Sequence, residues 1–187
     1  MIRSFIAVDL DDANVKRRLV AAQEELLATG ADLKAVETEN IHVTVRFLGD
    51  VRSSALREIS DSLSLIEFHS FRAEQRGLGV FPSLNRPRVV WAGYSKGQDA
   101  FIDLYGRIES RLREMGVRQE DQRYHPHVTL VRVRSGRNRD ALVRSVQSLS
   151  DESFGELVIS RFQLKRSVLT PRGPIYSNVR EYAAAES

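Results

Sequence analysis

At 187 residues, with 42% hydrophobic and 28% charged side chains, the chain has the composition of an ordinary globular protein and can bury one sizeable core or two tightly joined halves. It has no cysteine, which excludes disulfides, iron–sulfur clusters and thiolate zinc sites, and no apolar run approaches the length of a membrane span. The net charge is a mild +3, carried by 24 arginines and 4 lysines.

In chain order, residues 2–10 form an apolar run that predicts a buried strand. Asp11 and Asp12 can cap a helix in which Val15, Leu19, Ala22 and Leu26 recur at helical spacing, with Gly30 as its stop. Residues 41–48 alternate and are rich in β-branched types, which predicts a strand. Ser53 or Ser54 then caps a helix with Leu56, Ile59, Leu63 and Ile66 on one face, and a strand follows from about 70 to 80. Residues 81–88 carry turn and breaker types and read as a junction. After it the series starts again: a strand at 89–94, and a helix capped by Asp99 that carries Phe101, Tyr105, Ile108, Leu112 and Met115 and stops at Gly116. A strand at 127–133 and a helix at 138–149 come next. Residues 155–169 supply one strand or two, 170–174 a turn, and 175–182 a last short strand.

The order of elements therefore repeats. The expected fold is α+β: a duplicated β-α-β-α-β unit forming two pseudo-symmetric lobes, with largely antiparallel sheets lining a central cleft. The halves fall at about 1–84 and 85–187 and make one two-lobed domain over 1–187, since about 85 residues each leaves modest separate cores. The apolar start is too short for a secretory signal, which makes the cytoplasm the default expectation.

Two short motifs occupy matching places in the repeat: His42-Val43-Thr44-Val45 and His127-Val128-Thr129-Leu130, at a constant offset of 85 residues. In a strand, residues i and i+2 share a face, so each motif presents one imidazole and one hydroxyl from a packed support. A single His-x-Thr is common and usually structural. Two copies in equivalent slots are harder to dismiss, since the chain has only 4 histidines. If a pseudo-two-fold axis relates the lobes, the motifs face each other across a cleft. One imidazole can then act as base and the other as acid on a phosphodiester, with threonine hydroxyls holding its oxygens and no metal required.

His125-Pro126-His127 could place two imidazoles on one face for a metal. Apart from Asp50, however, no acid follows within the next several residues of either His-Thr pair, and hard-metal phosphatase sites want acidic ligands. The expectation is no metal and no cofactor. His125, helped by Pro126, is read as setting the extended approach to the strand, and His69 as an exposed loop histidine. The arginine excess by itself fits an arginine-favouring genome as well as a phosphate ligand. Its clustering says more: between 123 and 150 stand six arginines and two histidines against the single acid Asp140, a region that should attract a polyanion.

These motifs resemble the 2H phosphoesterases, and more closely the RNA 2′,3′-cyclic phosphodiesterases, historically called 2′-5′ RNA ligases. Supporting stretches are Arg3-Ser-Phe-Ile-Ala-Val, Asn40-Ile-His-Val-Thr-Val-Arg-Phe-Leu-Gly-Asp, Phe81-Pro, Arg86-Pro-Arg-Val-Val-Trp-Ala-Gly, Pro126-His-Val-Thr-Leu-Val-Arg and Arg166-Ser-Val-Leu-Thr-Pro-Arg-Gly-Pro-Ile-Tyr, spread over nearly the whole chain. The resemblance implies a two-lobed fold and hydrolysis of a terminal 2′,3′-cyclic phosphate on RNA to a 2′-phosphate. It implies His42 as proton donor to O3′, His127 as the base on water, Thr44 and Thr129 on the phosphate oxygens, and reversible 2′-5′ ligation through the same residues. Arg132 matches a family arginine three positions after the second threonine. Strict alternation puts it opposite Thr129, so it reaches the cleft only if the strand ends or bulges just before it. Arg46 falls on the catalytic face by parity, and both are candidate phosphate contacts. The expected partner is an RNA with a cyclic-phosphate end, tRNA-like or a fragment, bound by a monomer with no membrane association. Rival readings are an esterase of small cyclic nucleotides and a non-catalytic RNA-end binder.

Overall fold

The computed structural model describes residues 1–120, 122–171 and 173–185. Arg172, in the expected turn at 170–174, lies outside them. The elements are β1 (Ile2–Asp9), α1 (Ala13–Ala28), β2 (Leu33–Ala35), a 3-10 turn (Thr38–Asn40), β3 (His42–Val51), α2 (Ser53–Leu63) and β4 (Phe71–Ser83). They continue with β5 (Arg86–Lys96), α3 (Gln98–Glu114), β6 (Val128–Val133), α4 (Arg139–Ser148), β7 (Ser153–Ile159), β8 (Arg161–Thr170) and β9 (Gly173–Ala183). The fold is α+β, as the repeat of elements implied.

The strands form a curled sheet in the order β7-β4-β5-β6-β3-β1-β8-β9, with β2 added against β6. Every ladder between named strands is antiparallel. The order reads the same outward from the β6–β3 contact under the exchange of β1 with β5, β3 with β6, β4 with β8, and β7 with β9. The duplication is thus a pseudo-two-fold axis passing between β3 and β6.

The lobes do not coincide with the sequence halves. Strand β4, from the first half, lies between β5 and β7, while β8 and β9 return to β1. The helices cross too: α1 packs on α4, β6 and β7, and α2 packs on α3 and β9. Each lobe's apolar layer is therefore drawn from both halves, with Leu19 and Leu26 of α1, Leu142 and Val146 of α4, and Phe101, Ile108 and Leu112 of α3 all buried.

Several local expectations need correcting. The junction at 81–88 is narrower than expected: Val80 pairs with Val90, Phe81 with Val89 and Ser83 with Arg86, so β4 and β5 form one hairpin turning at Leu84 and Asn85. Neither Ser53 nor Asp99 is an N-cap. Arg52 holds the first cap position without a side-chain bond, and Gly97 holds the second at φ 82°. A Cβ at Gly97 would lie 2.8 Å from the Arg72 carbonyl oxygen and 2.9 Å from the Ala73 side chain, so the close approach of α3 to β4 requires glycine. Asp99 instead sits in the first turn, where its charge meets the helix's positive end. Only Asp12 caps as expected, accepting from the N–H groups of Asn14 and Val15 at 2.9 Å each.

Candidate active site

Val43 and Val128 are the one registered pair joining β3 to β6. Both are fully buried, so in each strand the flanking histidine and threonine point to the other face, into the cleft. Extending this antiparallel register by one residue each way sets His42 against Thr129 and Thr44 against His127. The two motifs flank the pseudo-axis, close enough for His127 to act on His42 through its charge.

The imidazoles are oriented alike. His42 Nδ1 lies 2.6 Å from the Asn40 carbonyl oxygen and His127 Nδ1 lies 2.7 Å from that of His125. A carbonyl only accepts, so each Nδ1 carries its proton and each Nε2 is left for the cleft. On His42 this nitrogen is 2.9 Å from Thr44 Oγ1. Burial pushes His42 below the ordinary imidazole value, opposed by the Asn40 carbonyl and Asp9 and reinforced by Lys165 and His127. Asp9 is paired in register with His42 and held at 2.8 Å by Lys165 Nζ, which also donates to Asn178 at 2.7 Å. His127 is likewise lowered by burial, against the pull of the His125 carbonyl and with a push from His125 and Arg132.

Two β-bulges decide the arginines. In β3, Ala7 pairs with Thr44 but Ile6 with Arg46, which leaves Val45 extra. The bulge reverses the parity beyond it. Arg46 is therefore 5% exposed and turned behind the sheet, where it donates to Glu109 of α3 and to the Phe47 and Arg118 carbonyls, with Glu120 at 3.0 Å. The expectation that Arg46 holds phosphate is overturned, because its guanidinium is already committed. In β6, Trp91 pairs with Thr129 but Val90 with Val131, which leaves Leu130 extra. Here the bulge carries Arg132 to the Thr129 face, exposed and near enough to depress His127 and to act on Tyr176. The buried Gln23 of α1 donates to the Leu130 carbonyl at 2.8 Å and to the Val36 carbonyl at 2.9 Å, and the Val36 N–H also donates to Leu130 at 2.9 Å. The bulge that aims Arg132 is thus tied from two sides.

Aromatic rings wall both ends. Phe5 lies 5.2 Å from the His42 ring and 4.9 Å from Tyr176, which meets His42 edge-on at 5.5 Å. Phe47, 58% exposed, adjoins Phe5 at 6.1 Å. Across the axis, Phe81 meets His127 edge-on at 5.0 Å, and His125 lies parallel to the His127 ring at 6.2 Å and edge-on to Trp91 at 5.0 Å. Sequence reasoning missed the orienting carbonyls of Asn40 and His125, since a backbone group leaves no signature. Phe47 did leave one: it stands 85 residues before Arg132, so the offset of the motifs marks it as the arginine's counterpart. His69 is exposed, bridged to Ala185 and away from the cleft. No three His, Asp or Glu side chains converge as a metal-ligand group among the described residues, and no helix is long and apolar enough to cross a membrane.

A two-fold pair of strand-borne His-x-Thr groups in the cleft of a curled antiparallel sheet defines a two-histidine phosphoesterase. The sequence profile described as LigT like Phosphoesterase matches residues 8–91 and 94–176, and the chain belongs to that family of hydrolases. Curated relatives include the RNA 2′,3′-cyclic phosphodiesterases of Aeropyrum pernix, 42% identical over 91% of this chain and 97% of that protein, and of Archaeoglobus fulgidus, 37% identical over 97% and 99%. Among solved structures, a Thermus thermophilus protein superposes with a TM-score of 0.80 at 27% identity, covering 97% of each chain. Escherichia coli LigT complexed with 3′-AMP shares the fold with a TM-score of 0.82 at 22% identity, covering 99% of each.

Proposed function

We propose that this chain hydrolyses the terminal 2′,3′-cyclic phosphate of RNA to a 2′-phosphate, by acid–base catalysis between two histidines and without a metal. The observation that carries the reading is the meeting of the motif strands at Val43 and Val128 with each Nδ1 held by a backbone carbonyl, which turns both Nε2 atoms toward one cleft, that of His42 resting on the Thr44 hydroxyl. His127 Nε2 takes a proton from water as its oxygen attacks phosphorus. The P–O3′ bond breaks on the opposite side, and His42 Nε2 gives its proton to the departing O3′. The products are a ribose 3′-hydroxyl and a 2′-phosphate; His42 ends neutral and His127 protonated, and solvent exchange resets both.

Thr44, Thr129 and Arg132 hold the equatorial oxygens as charge builds on them. Because O3′ leaves toward His42, the terminal nucleoside lies on that side, where Tyr176 and the exposed Phe47 ring, backed by the buried Phe5, offer faces for a base. A 5′-hydroxyl in the place of water gives a 2′-5′ linkage by the same two proton transfers. The names of the relatives above support this substrate.

The test is an RNA oligomer ending in a 2′,3′-cyclic phosphate, incubated with protein in EDTA and analysed for the position of the product phosphate. The expected product is the 2′-phosphate. His42→Ala and His127→Ala should each lose about 10²–10⁴-fold in rate while keeping the native circular dichroism spectrum. A 3′-phosphate product, or full activity in either variant, overturns the mechanism.

A further inference from the structure

Where β6 runs out, beyond the cleft, two adjoining hollows open between the β4–β5 hairpin and the start of α4. They measure about 440 and 320 Å³ and share Gly136 and Arg139 in their walls. Five arginines line them, Arg86, Arg88, Arg134, Arg139 and Arg144, against one acid, Asp140. Asp140 is already taken by Arg139 at 3.0 Å. Arg86, Arg88, Arg134 and Arg144 make no ion pair among the described residues, so four guanidiniums face solvent without a counter-charge. Such a concentration of like charge raises the local density of anions and is relieved by binding one.

From this geometry we infer that the hollows are a phosphate-binding subsite for the RNA backbone upstream of the reacting end. The inference rests on the cyclic-phosphate reading for its choice of substrate. Strand β6 supplies the line between the two places: Thr129 and Arg132 face the cleft, and Arg134 reaches the hollows. From Thr129 to Arg134, just past the end of β6, about four regular strand steps of about 3.3 Å beside the bulged Leu130 put them roughly 13 Å from the reacting phosphate, within reach of a short run of nucleotides. The lining contains no aromatic side chain, only Pro87, Val133 and Ala141 among larger apolar groups. Bases therefore find no aromatic platform, and the subsite grips the backbone with little regard to sequence.

The experiment compares the wild type with the double variant Arg86→Gln/Arg88→Gln, on a decamer ending in a 2′,3′-cyclic phosphate and on a nucleoside 2′,3′-cyclic phosphate. The variant should lose kcat/KM several-fold on the decamer and keep it on the mononucleotide. In parallel, binding of a fluorescent decamer with an unreactive 3′-hydroxyl is followed against salt. The slope of log affinity against log salt should shrink by about 0.7 for each phosphate contact removed from a single strand. Equal losses on both substrates, or unchanged decamer affinity and slope, overturn the subsite. Strong preference among decamer sequences also overturns it, as does polyglutamate displacing RNA at matched charge, which would assign the patch to an acidic protein. Because the binding arm needs no turnover, absence of cyclic-phosphate hydrolysis in the wild type would sink the catalytic reading and leave the subsite decided on its own.

Discussion

Replacing Arg46 with methionine removes the guanidinium that neutralises Glu109 behind the sheet. Glu109 is 8% exposed, and its carboxylate would be left as a buried charge without its partner. Breaking one partner of a buried pair costs about 3–5 kcal/mol. Glu120, the second partner, has a side chain 36% exposed, so its pairing adds little. For a chain of this length each 1 kcal/mol corresponds to about 2–4 °C, so the melting temperature should fall by roughly 6–20 °C. Adding Glu109→Leu to Arg46→Met removes the stranded charge along with its partner and should recover most of that loss, because apolar replacement of a whole buried pair is often neutral or stabilising. The assay is urea unfolding of the wild type, both single variants and the double, with kcat/KM measured well below each transition. Activity should stay within a few-fold wherever the protein is folded. An Arg46→Met variant of native stability that had lost its activity would refute the reasoning and return this arginine to the phosphate.

Arg132→Gln should do the reverse, lowering kcat by about 10²–10³ as one transition-state donor is lost while leaving the melting temperature unchanged; a fall in stability without a fall in kcat would make it structural. The pH profile follows from the two imidazoles. His127 must be unprotonated and His42 protonated, and burial holds both below the ordinary 6.5, so kcat/KM rises through the His127 value, falls through the His42 value and peaks on the acid side of 6.5. A bound phosphate anion favours the imidazolium, so the alkaline limb of kcat should lie higher than that of kcat/KM; a kcat/KM maximum above neutrality would contradict these assignments. Dialysis against EDTA should leave the rate unchanged, and a loss restored by a divalent cation would demand a metal in the mechanism.

What was legible in the chain was what periodicity and repetition encode. The buried faces of α1 and α3 follow from Val15, Leu19 and Leu26 and from Phe101, Ile108 and Leu112, and the shared face of His42 and Thr44 follows from strand parity alone. The bulges were not legible, because an extra residue such as Val45 or Leu130 is fixed by the strand it pairs with. One unseen residue on each motif strand was enough to exchange the expected places of Arg46 and Arg132. The same limit applies to the 81–88 segment, whose prolines and asparagine read as a break. Two edges of backbone pair across it, and the turn needs only Leu84 and Asn85. Cap positions failed for a simpler reason: Ser53 and Asp99 are suitable cap residues one or two places late, and the neighbouring chain, not the side chain, sets where each helix begins.

The crossing of elements between lobes bears on how such a molecule could arise. A free half ending near residue 84 would own one His-x-Thr strand, two helices without their layer partners α4 and α3, and a β4 with no β5 to pair with. Its open edges and bare helix faces would be satisfied only by a second copy in mutual exchange, each donating β4 and α1 to the other around a two-fold axis. The present chain has the architecture of such an exchanged dimer, with its halves joined through the Leu84–Asn85 turn. The tether makes the encounter of the two histidines intramolecular, independent of protein concentration. It also lets the two halves differ, so that Phe47 and Arg132, equivalent in motif offset, present a hydrophobic wall on one side and a cation on the other.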